Sequence, residues 1–327
     1  MDIFHDILGH DNVKRGLYHA MHMGRLHHAL LLTGPSGIGK AMLGRAFIQA
    51  MMCEKSSLDH PTRCGQCSTC YRIANKNHPD VIEIEDSAAT IKIDVIRDMQ
   101  RRLISAPFES QRRYVLIHDV HKMQDAAANC LLKTLEEPDP YTTFVLITSQ
   151  EQRLLSTIIS RCQVIRFAAF ALEDVAQFLV QHEVPANMAG QIAALSGGSL
   201  GAALDLSNGD YKTEVLGTFE EMIAVSSGLE AFSVASGLKG KKNMSEHLLK
   251  LLSMYVRDMM VLKTAPDLPI ILEHYRNHML KRIDKVSPKD LTRAANIVQE
   301  IHESFVGNVN ELVAWERLLL GMHGVLF

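Results

Sequence analysis

Gly34-Pro-Ser-Gly37-Ile-Gly39-Lys40-Ala41 is the stretch whose residue types most plainly imply chemistry. It nearly matches G-x-x-x-x-G-K-[ST], in which glycines let backbone N–H groups converge on phosphate oxygens and a lysine reaches the terminal phosphates. The helix that such a loop opens adds the positive end of its dipole. Ala41 occupies the Ser/Thr position whose hydroxyl ordinarily ligates Mg²⁺, and a methyl group cannot do that. The second metal element is an acidic pair closing a later strand. Tyr114-Val-Leu-Ile117 runs instead into His118 and Asp119. Two losses on the metal side predict a defective Mg²⁺ site. They leave ATP or ADP binding open, with hydrolysis weak or absent.

A second constellation is made of thiols. Cys53, Cys64, Cys67 and Cys70 lie together, while Cys130 and Cys162 stand apart. Three cysteines at two-residue intervals form one tight loop, and Cys53 on the preceding helix supplies a fourth ligand. Iron–sulfur clusters also use thiolates. A closed set of four sulfurs without an open position favours structural zinc. The histidines His19, His22, His27 and His28, on a helix and its exit, read as solvated or capping groups. His118 and His121 read as drift in an unused acidic motif, and no histidine metal site is expected.

These residues need particular elements beneath them. Ala29–Thr33 is a short apolar strand leading into the glycines, followed by a helix over about 40–52. Further strands are expected at Val81–Glu85, Tyr114–Ile117, Phe144–Thr148 and Val164–Phe167. Helices are expected over Ile93–Leu103 and within DAAANCLLKTLEEP at 125–138, with Asp125 as N-cap and Pro138 just past the C-terminal end. Strands alternating with helices predict a parallel α/β sheet covered on both faces. After Phe167 the pattern becomes helical. Leu172–His182, Ala186–Leu195 and Ser199–Leu206 form a small module, and no strand is read from Asn208 onward. Ser245–Leu262 places Leu248, Leu252, Tyr255, Met259 and Leu262 on one face. The last helix carries Leu312, Trp315, Leu319 and Met322.

The 327 residues carry 34 Lys+Arg against 37 Asp+Glu, and 47% are hydrophobic. That excludes general disorder and leaves material for more than one core. It also argues against solo duplex binding, which shows as excess basic charge. No positively charged leader precedes an apolar stretch, and no run of about 18 apolar residues occurs. With cysteines clustered as ligands, a cytoplasmic protein is expected.

The combination of GPSGIGK, a cysteine knuckle after the glycine-loop helix, LLKTLEEP at 131–138 and Ser160-Arg161-Cys162 resembles the bacterial clamp-loader subunits. These are AAA+ proteins of the DNA polymerase III holoenzyme. The likeness runs from IFHDILGHDNV at 3–13 to NVNELVAWERLLL at 308–320. It implies a P-loop α/β domain over 1–166 with the knuckle inserted at 53–70, a small helical lid over 167–207, and an all-α collar over 208–327. ATP-hydrolysing gamma/tau subunits would carry Thr or Ser at 41, Asp-Glu at 118–119 and a sensor arginine where Gly201 stands. All three departures fall on one function, a pattern similar to the delta-prime subunits, which lack effective ATPase. The resemblance implies that Arg161, flanked by Ser160 and Cys162, is presented in trans to ATP on a neighbouring subunit, and that Thr148 takes the sensor-1 position. It implies as partners the delta and gamma/tau subunits of a heteropentamer, with the sliding clamp and primed DNA reached through the assembly and no membrane. A gamma/tau-type motor and a zinc-dependent DNA-binding module are the competing readings.

Overall fold

The computed structural model describes residues 3–57, 59–85, 90–306 and 310–323. Asn308 and Val309 of the C-terminal stretch quoted above lie outside them. Two compact units emerge: one reaches Phe170 and includes Ser199–Gly201, the other takes Ala171–Gly198 and the chain from Ala202 onward.

In the first unit, strands β1 (Ala29–Thr33), β2 (Val81–Ile84), β3 (Arg113–Ile117), β4 (Thr142–Thr148) and β5 (Gln163–Arg166) form a parallel sheet in the order β2-β3-β4-β1-β5. Helices α1 (Asp11–His22), α2 (Lys40–Met52), α3 (Ser68–Ala74), α4 (Ile93–Leu103), α5 (Asp125–Glu136) and α6 (Ser156–Ile159) accompany it. β1, β3 and β4 are buried along their whole length, as expected for strands covered on both faces. Alternation along each strand divides the side chains between two cores. Leu30, Leu32, Tyr114, Leu116, Val145 and Ile147 pack with Leu43 and Phe47 of α2. Ala29, Leu31, Val115, Ile117, Phe144 and Leu146 pack with Ile96 of α4 and Leu131 and Leu135 of α5.

β2 is one of the two edge strands, and its alternation places the first functional side chain. Ile82 and Ile84 face the α4/α5 core, so Glu83 points to the opposite, α2 face. In the β2–β3 register Glu83 lies beside Leu116, and the His118 N–H donates to the Ile84 carbonyl at 2.9 Å. By the same period of two, His118 follows Tyr114 and Leu116 onto the α2 face.

The α5 start differs from expectation. Gln124, in extended conformation, is the N-cap, and Asp125 is the first helical residue. An N-cap needs non-helical backbone; one residue further in, the Asp125 carboxylate still favours the helix N-terminus through the dipole. Cys53 likewise sits one position past α2, as its extended C-cap.

The second unit is helical throughout its described residues: α7 (Leu172–Gln181), α8 (Ala186–Ser196), α9 (Leu200–Ser207, whose first two residues cluster with the first unit), α10 (Gly209–Ala224), α11 (Gly228–Gly237), α12 (Lys242–Thr264), α13 (Arg276–Ile283), α14 (Pro288–Val306) and α15 (Glu311–His323). Leu248, Leu252, Tyr255 and Met259, the face read from the sequence, are fully buried on α12. Trp315, Leu318, Leu319 and Met322 fill the inner face of α15. No described helix is long and apolar enough to cross a membrane.

Candidate functional site

The glycine loop takes the backbone shape its composition permits. Gly34, Gly37 and Gly39 all have positive φ, and Gly39 is the N-cap of α2. At Gly34 the requirement is doubled: φ is +145°, and a Cβ would lie 2.4 Å from the Phe167 carbonyl oxygen. Lys40 opens α2 and is buried; its Nζ donates to the Gly34 carbonyl at 2.7 Å and to that of Pro35. Burial lowers its ammonium to about 8, against a small opposing pull from Asp119. From outside the loop, the His10 ring reaches the Ile38 carbonyl at 2.9 Å and packs edge-on against Phe167. A loop of this shape, with a lysine inside it and a helix N-terminus behind it, fits a nucleotide's phosphates.

The metal side does not fit Mg²⁺. Ala41 supplies no oxygen. His118 Nε2 lies 2.8 Å from Glu83 Oε1, and Arg45 of α2 holds that same oxygen at 2.5 Å. Burial alone would raise the Glu83 carboxyl; the His118 and Arg45 hydrogen bonds overcome it and bring it down to about 2. His118 is therefore no idle remnant of an acidic motif, and the drift expected from the sequence is corrected here. Glu83, Glu85 and His118 could in principle hold a metal, their ligand atoms lying within 4.8 Å of one another. Arg45 and Lys76 already neutralise those carboxylates. Asp119 turns elsewhere: its backbone is left-handed at φ 47°, and Oδ2 meets Lys122 Nζ at 2.8 Å. Burial would raise its carboxyl, but Lys122 overcomes that and holds it below the usual range.

Thr148 ends β4, fully buried, where its Oγ1 accepts from the Gln150 N–H at 3.1 Å and lies 3.2 Å from His121 Nδ1. Burial lowers the His121 imidazole, which favours its neutral form. Gly201 packs directly on the loop: its N–H donates to the Gly37 carbonyl at 2.9 Å, and a Cβ there would lie 3.1 Å from Gly37 Cα. Any side chain at this position meets backbone. Gly34, Gly37, Gly39, Lys40 and Gly201 are thus brought together, while Asp119 turns to Lys122 and His118 is drawn toward β2.

Arg161 lies apart from that group, just past α6. Its guanidinium NH1 donates to the Thr157 carbonyl at 2.9 Å, and NH2 pairs with Glu136 Oε1 at 2.5 Å. Ser160 Oγ donates to the same Thr157 carbonyl at 3.1 Å. Cys162 packs against the α5 core, and burial pushes its thiol up to about 12, so it is no nucleophile.

The four cysteines converge as their spacing predicts, their sulfurs within 4.8 Å of one another. Zinc at about 2.3 Å from each of four tetrahedral sulfurs needs sulfurs just under 4 Å apart. The donor set fits a four-thiolate metal ion. Backbone N–H groups already aim at the sulfurs: Cys67 N–H donates to Cys64 Sγ at 3.3 Å, and Cys70 N–H to Cys67 Sγ at 3.4 Å. Hydrogen bonds from the Gln66 and Cys67 backbone lower the Cys64 thiol to about 6, whereas burial raises those of Cys53 and Cys70. The knuckle is tied to α2 through Gln49, whose Nε2 donates to the Cys70 carbonyl at 2.8 Å.

Sequence reading missed Glu83 and Arg45, the partners of His118, and Glu136, the partner of Arg161. It also missed Asp80, a buried carboxylate that accepts from the N–H groups of Phe108, Glu109 and Ser110 at 2.5, 2.9 and 2.8 Å. An acid just before an edge strand was the available signal.

Comparison with known proteins follows this geometry. Residues 9–171 match the family described as DNA polymerase III, delta subunit. DNA polymerase III subunit delta' of Bacillus subtilis is 34% identical over 202 residues, covering 62% of this chain and 60% of the relative. Subunit delta' of Pseudomonas aeruginosa is 38% identical over 178 residues, covering 53% of each. Subunit tau of B. subtilis is 30% identical over 296 residues, covering 83% of this chain and 52% of tau. The chain thus spans about half the length of the curated relatives it matches. A glycine loop between β1 and α2 and a parallel sheet with helices on both faces accompany these matches, which make residues 9–171 a domain of the DNA polymerase III delta-subunit family.

Proposed function

We propose that this protein is a delta-prime-type subunit of a DNA polymerase III clamp loader, with no effective ATPase of its own. It takes part in loading the sliding clamp onto primed DNA, beside delta and gamma/tau subunits in a heteropentamer, in the cytoplasm. In this reading 1–166 is the AAA+ α/β domain, 167–207 its lid and 208–327 the collar for assembly. Zinc in the four-cysteine knuckle is structural. Gly34, Gly37, Gly39 and Lys40 cradle phosphate without turnover, and Arg161 supplies positive charge in trans to a neighbour's γ-phosphate.

The observation that carries the proposal is the joint state of positions 41, 118 and 201. One lacks the metal-binding oxygen, one is engaged by Glu83 and Arg45, and one packs on the loop itself. Arg161, apart from them, stays one-third exposed. The experiment is reconstitution with delta and gamma/tau subunits carrying wild type or Arg161→Ala. DNA-stimulated ATP turnover at the facing site should fall on the order of 10²-fold, with assembly intact. Unchanged turnover in an assembled complex refutes the arginine's role.

The 30% identity to tau over 83% of this chain favours a second reading, an ATP-hydrolysing motor. ATP turnover by the isolated protein, abolished by Lys40→Ala, would establish it.

A further inference from the structure

We infer that Glu136 is the positioning residue for Arg161, holding the guanidinium pre-oriented for the neighbour's nucleotide. The inference rests on the trans role proposed for Arg161.

The backbones carrying the two residues share one core. Leu131 and Leu135 of α5 and Ile158 of α6 are all fully buried in it, and the Arg161 N–H donates to the Ile158 carbonyl at 3.1 Å. What remains free is the long arginine side chain, whose rotamer entropy opposes any single pose. Three contacts of this chain hold it: NH1 on the Thr157 carbonyl at 2.9 Å and, more weakly, on Ser160 Oγ at 3.5 Å, and NH2 on Glu136 Oε1 at 2.5 Å. These engage the group at two nitrogens and leave the side chain one-third exposed. An anchored, partly open guanidinium is suited to receive an anion from another molecule.

The location of Glu136 adds a second argument. It is the last residue of α5, where the partial negative charge of the helix dipole disfavours a carboxylate. The placement runs against local helix preference and is compensated by Arg161. For stability alone, alanine or lysine would serve better there.

The test is a double-mutant cycle in the reconstituted complex: wild type, Glu136→Ala, Arg161→Ala and the pair, with kcat and KM for ATP measured separately. Glu136→Ala should lower kcat about three- to fivefold, the scale of an exposed ion pair, and leave KM unchanged. Glu136→Asp should recover part of the loss. In the Arg161→Ala background Glu136→Ala should change nothing further. The isolated variant should melt within a degree or two of wild type, which separates positioning from folding. If Arg161→Ala itself leaves turnover unchanged, the trans role fails. If Arg161→Ala lowers turnover while Glu136→Ala leaves kcat unchanged, raises it, or lowers it equally in both backgrounds, this inference fails and the trans role stands.

Discussion

His118→Asp returns half of an acidic pair to the end of β3, and the structure predicts that it destabilises the protein. Glu83 is almost completely buried, with His118 Nε2 at 2.8 Å and Arg45 NH2 at 2.5 Å from the same carboxylate oxygen. The substitution removes one hydrogen bond to a buried charge, worth about 1.5–3 kcal/mol. It also brings a second carboxylate to roughly 5 Å, where like charges at an effective dielectric near 20 repel by about 3 kcal/mol. Arg45 and Lys76 offset part of this, and side-chain relaxation more. A net loss of about 2–4 kcal/mol at pH 7 is expected, a large share of the 5–15 kcal/mol typical of a domain.

Urea unfolding of wild type, His118→Asp, Glu83→Gln and the double variant at pH 7 measures it. The double variant should recover a large part of the loss, because a neutral amide faces the new carboxylate without repulsion. The acid limb gives an independent check. Glu83 falls from an ordinary 4.5 to about 2 on folding, so its stabilisation is fully present above pH 4.5 and lost as pH drops toward 2. That lowering corresponds to about 3 kcal/mol. In His118→Asp the Glu83 carboxyl titrates higher, and the loss begins at higher pH. A His118→Asp protein within 0.5 kcal/mol of wild type, or one that Glu83→Gln does not relieve, refutes the coupling.

Asp80→Asn should cost about 2–4 kcal/mol, because three backbone N–H groups lose a charged acceptor. Burial would raise this carboxyl, but the Glu109, Phe108 and Ser110 N–H groups overcome it and hold it below 3.8. Its contribution is present above pH 3.8 and lost as pH falls through the lowered value; urea melts of Asp80→Asn should lack that slope. Cys67→Ser keeps an N-cap oxygen for the Cys70 N–H at the start of α3 but removes a sulfur ligand. Bound metal, measured by mass spectrometry, should fall from about one per chain with a drop in Tm, and an unchanged metal content would exclude Cys67 as a ligand. Gly201→Arg, which introduces the sensor arginine that the resemblance implies for gamma/tau subunits, should destabilise by about 1–3 kcal/mol through overpacking against Gly37 and yield no ATPase. Gly201→Ala at wild-type stability would refute the packing argument.

The features legible in the sequence were those that neighbouring residues determine. The glycine loop, the cysteine knuckle and the two-sided burial of β1, β3 and β4 depend on spacing within a dozen residues or so, and they fold as their periodicity implies. The partnerships that give the site its character join distant positions. Glu83 meets His118 only through the β2–β3 register, and Arg45 joins them because α2 covers that face of the sheet. Glu136 meets Arg161 because α5 and α6 share a core. An isolated histidine in place of an aspartate looks like decay until the register supplies its carboxylate. The α5 cap was misread for a smaller reason: Asp125 has the right side chain, but the helical backbone begins one residue earlier.

The same geometry explains how a phosphate loop remains well formed where Ala41 offers no oxygen and His118 is engaged by Glu83. In this fold the loop's own polar groups are met from inside the protein. Lys40 Nζ bonds the Gly34 and Pro35 carbonyls, the Gly201 N–H satisfies that of Gly37, and His10 reaches that of Ile38. Of these acceptors Ile38 belongs to a buried residue, and leaving its carbonyl unpaired would cost about 1–3 kcal/mol; the others tie the loop's backbone to its neighbours. The loop therefore serves as a keystone between β1, α2 and the N-terminal segment, whatever occupies it. Alanine at 41 and histidine at 118 leave this frame intact, whereas replacing Gly34 or Gly201 would break it. Under the proposed function, hydrolysis can be given up while this frame still holds the sheet that carries α6 and Arg161.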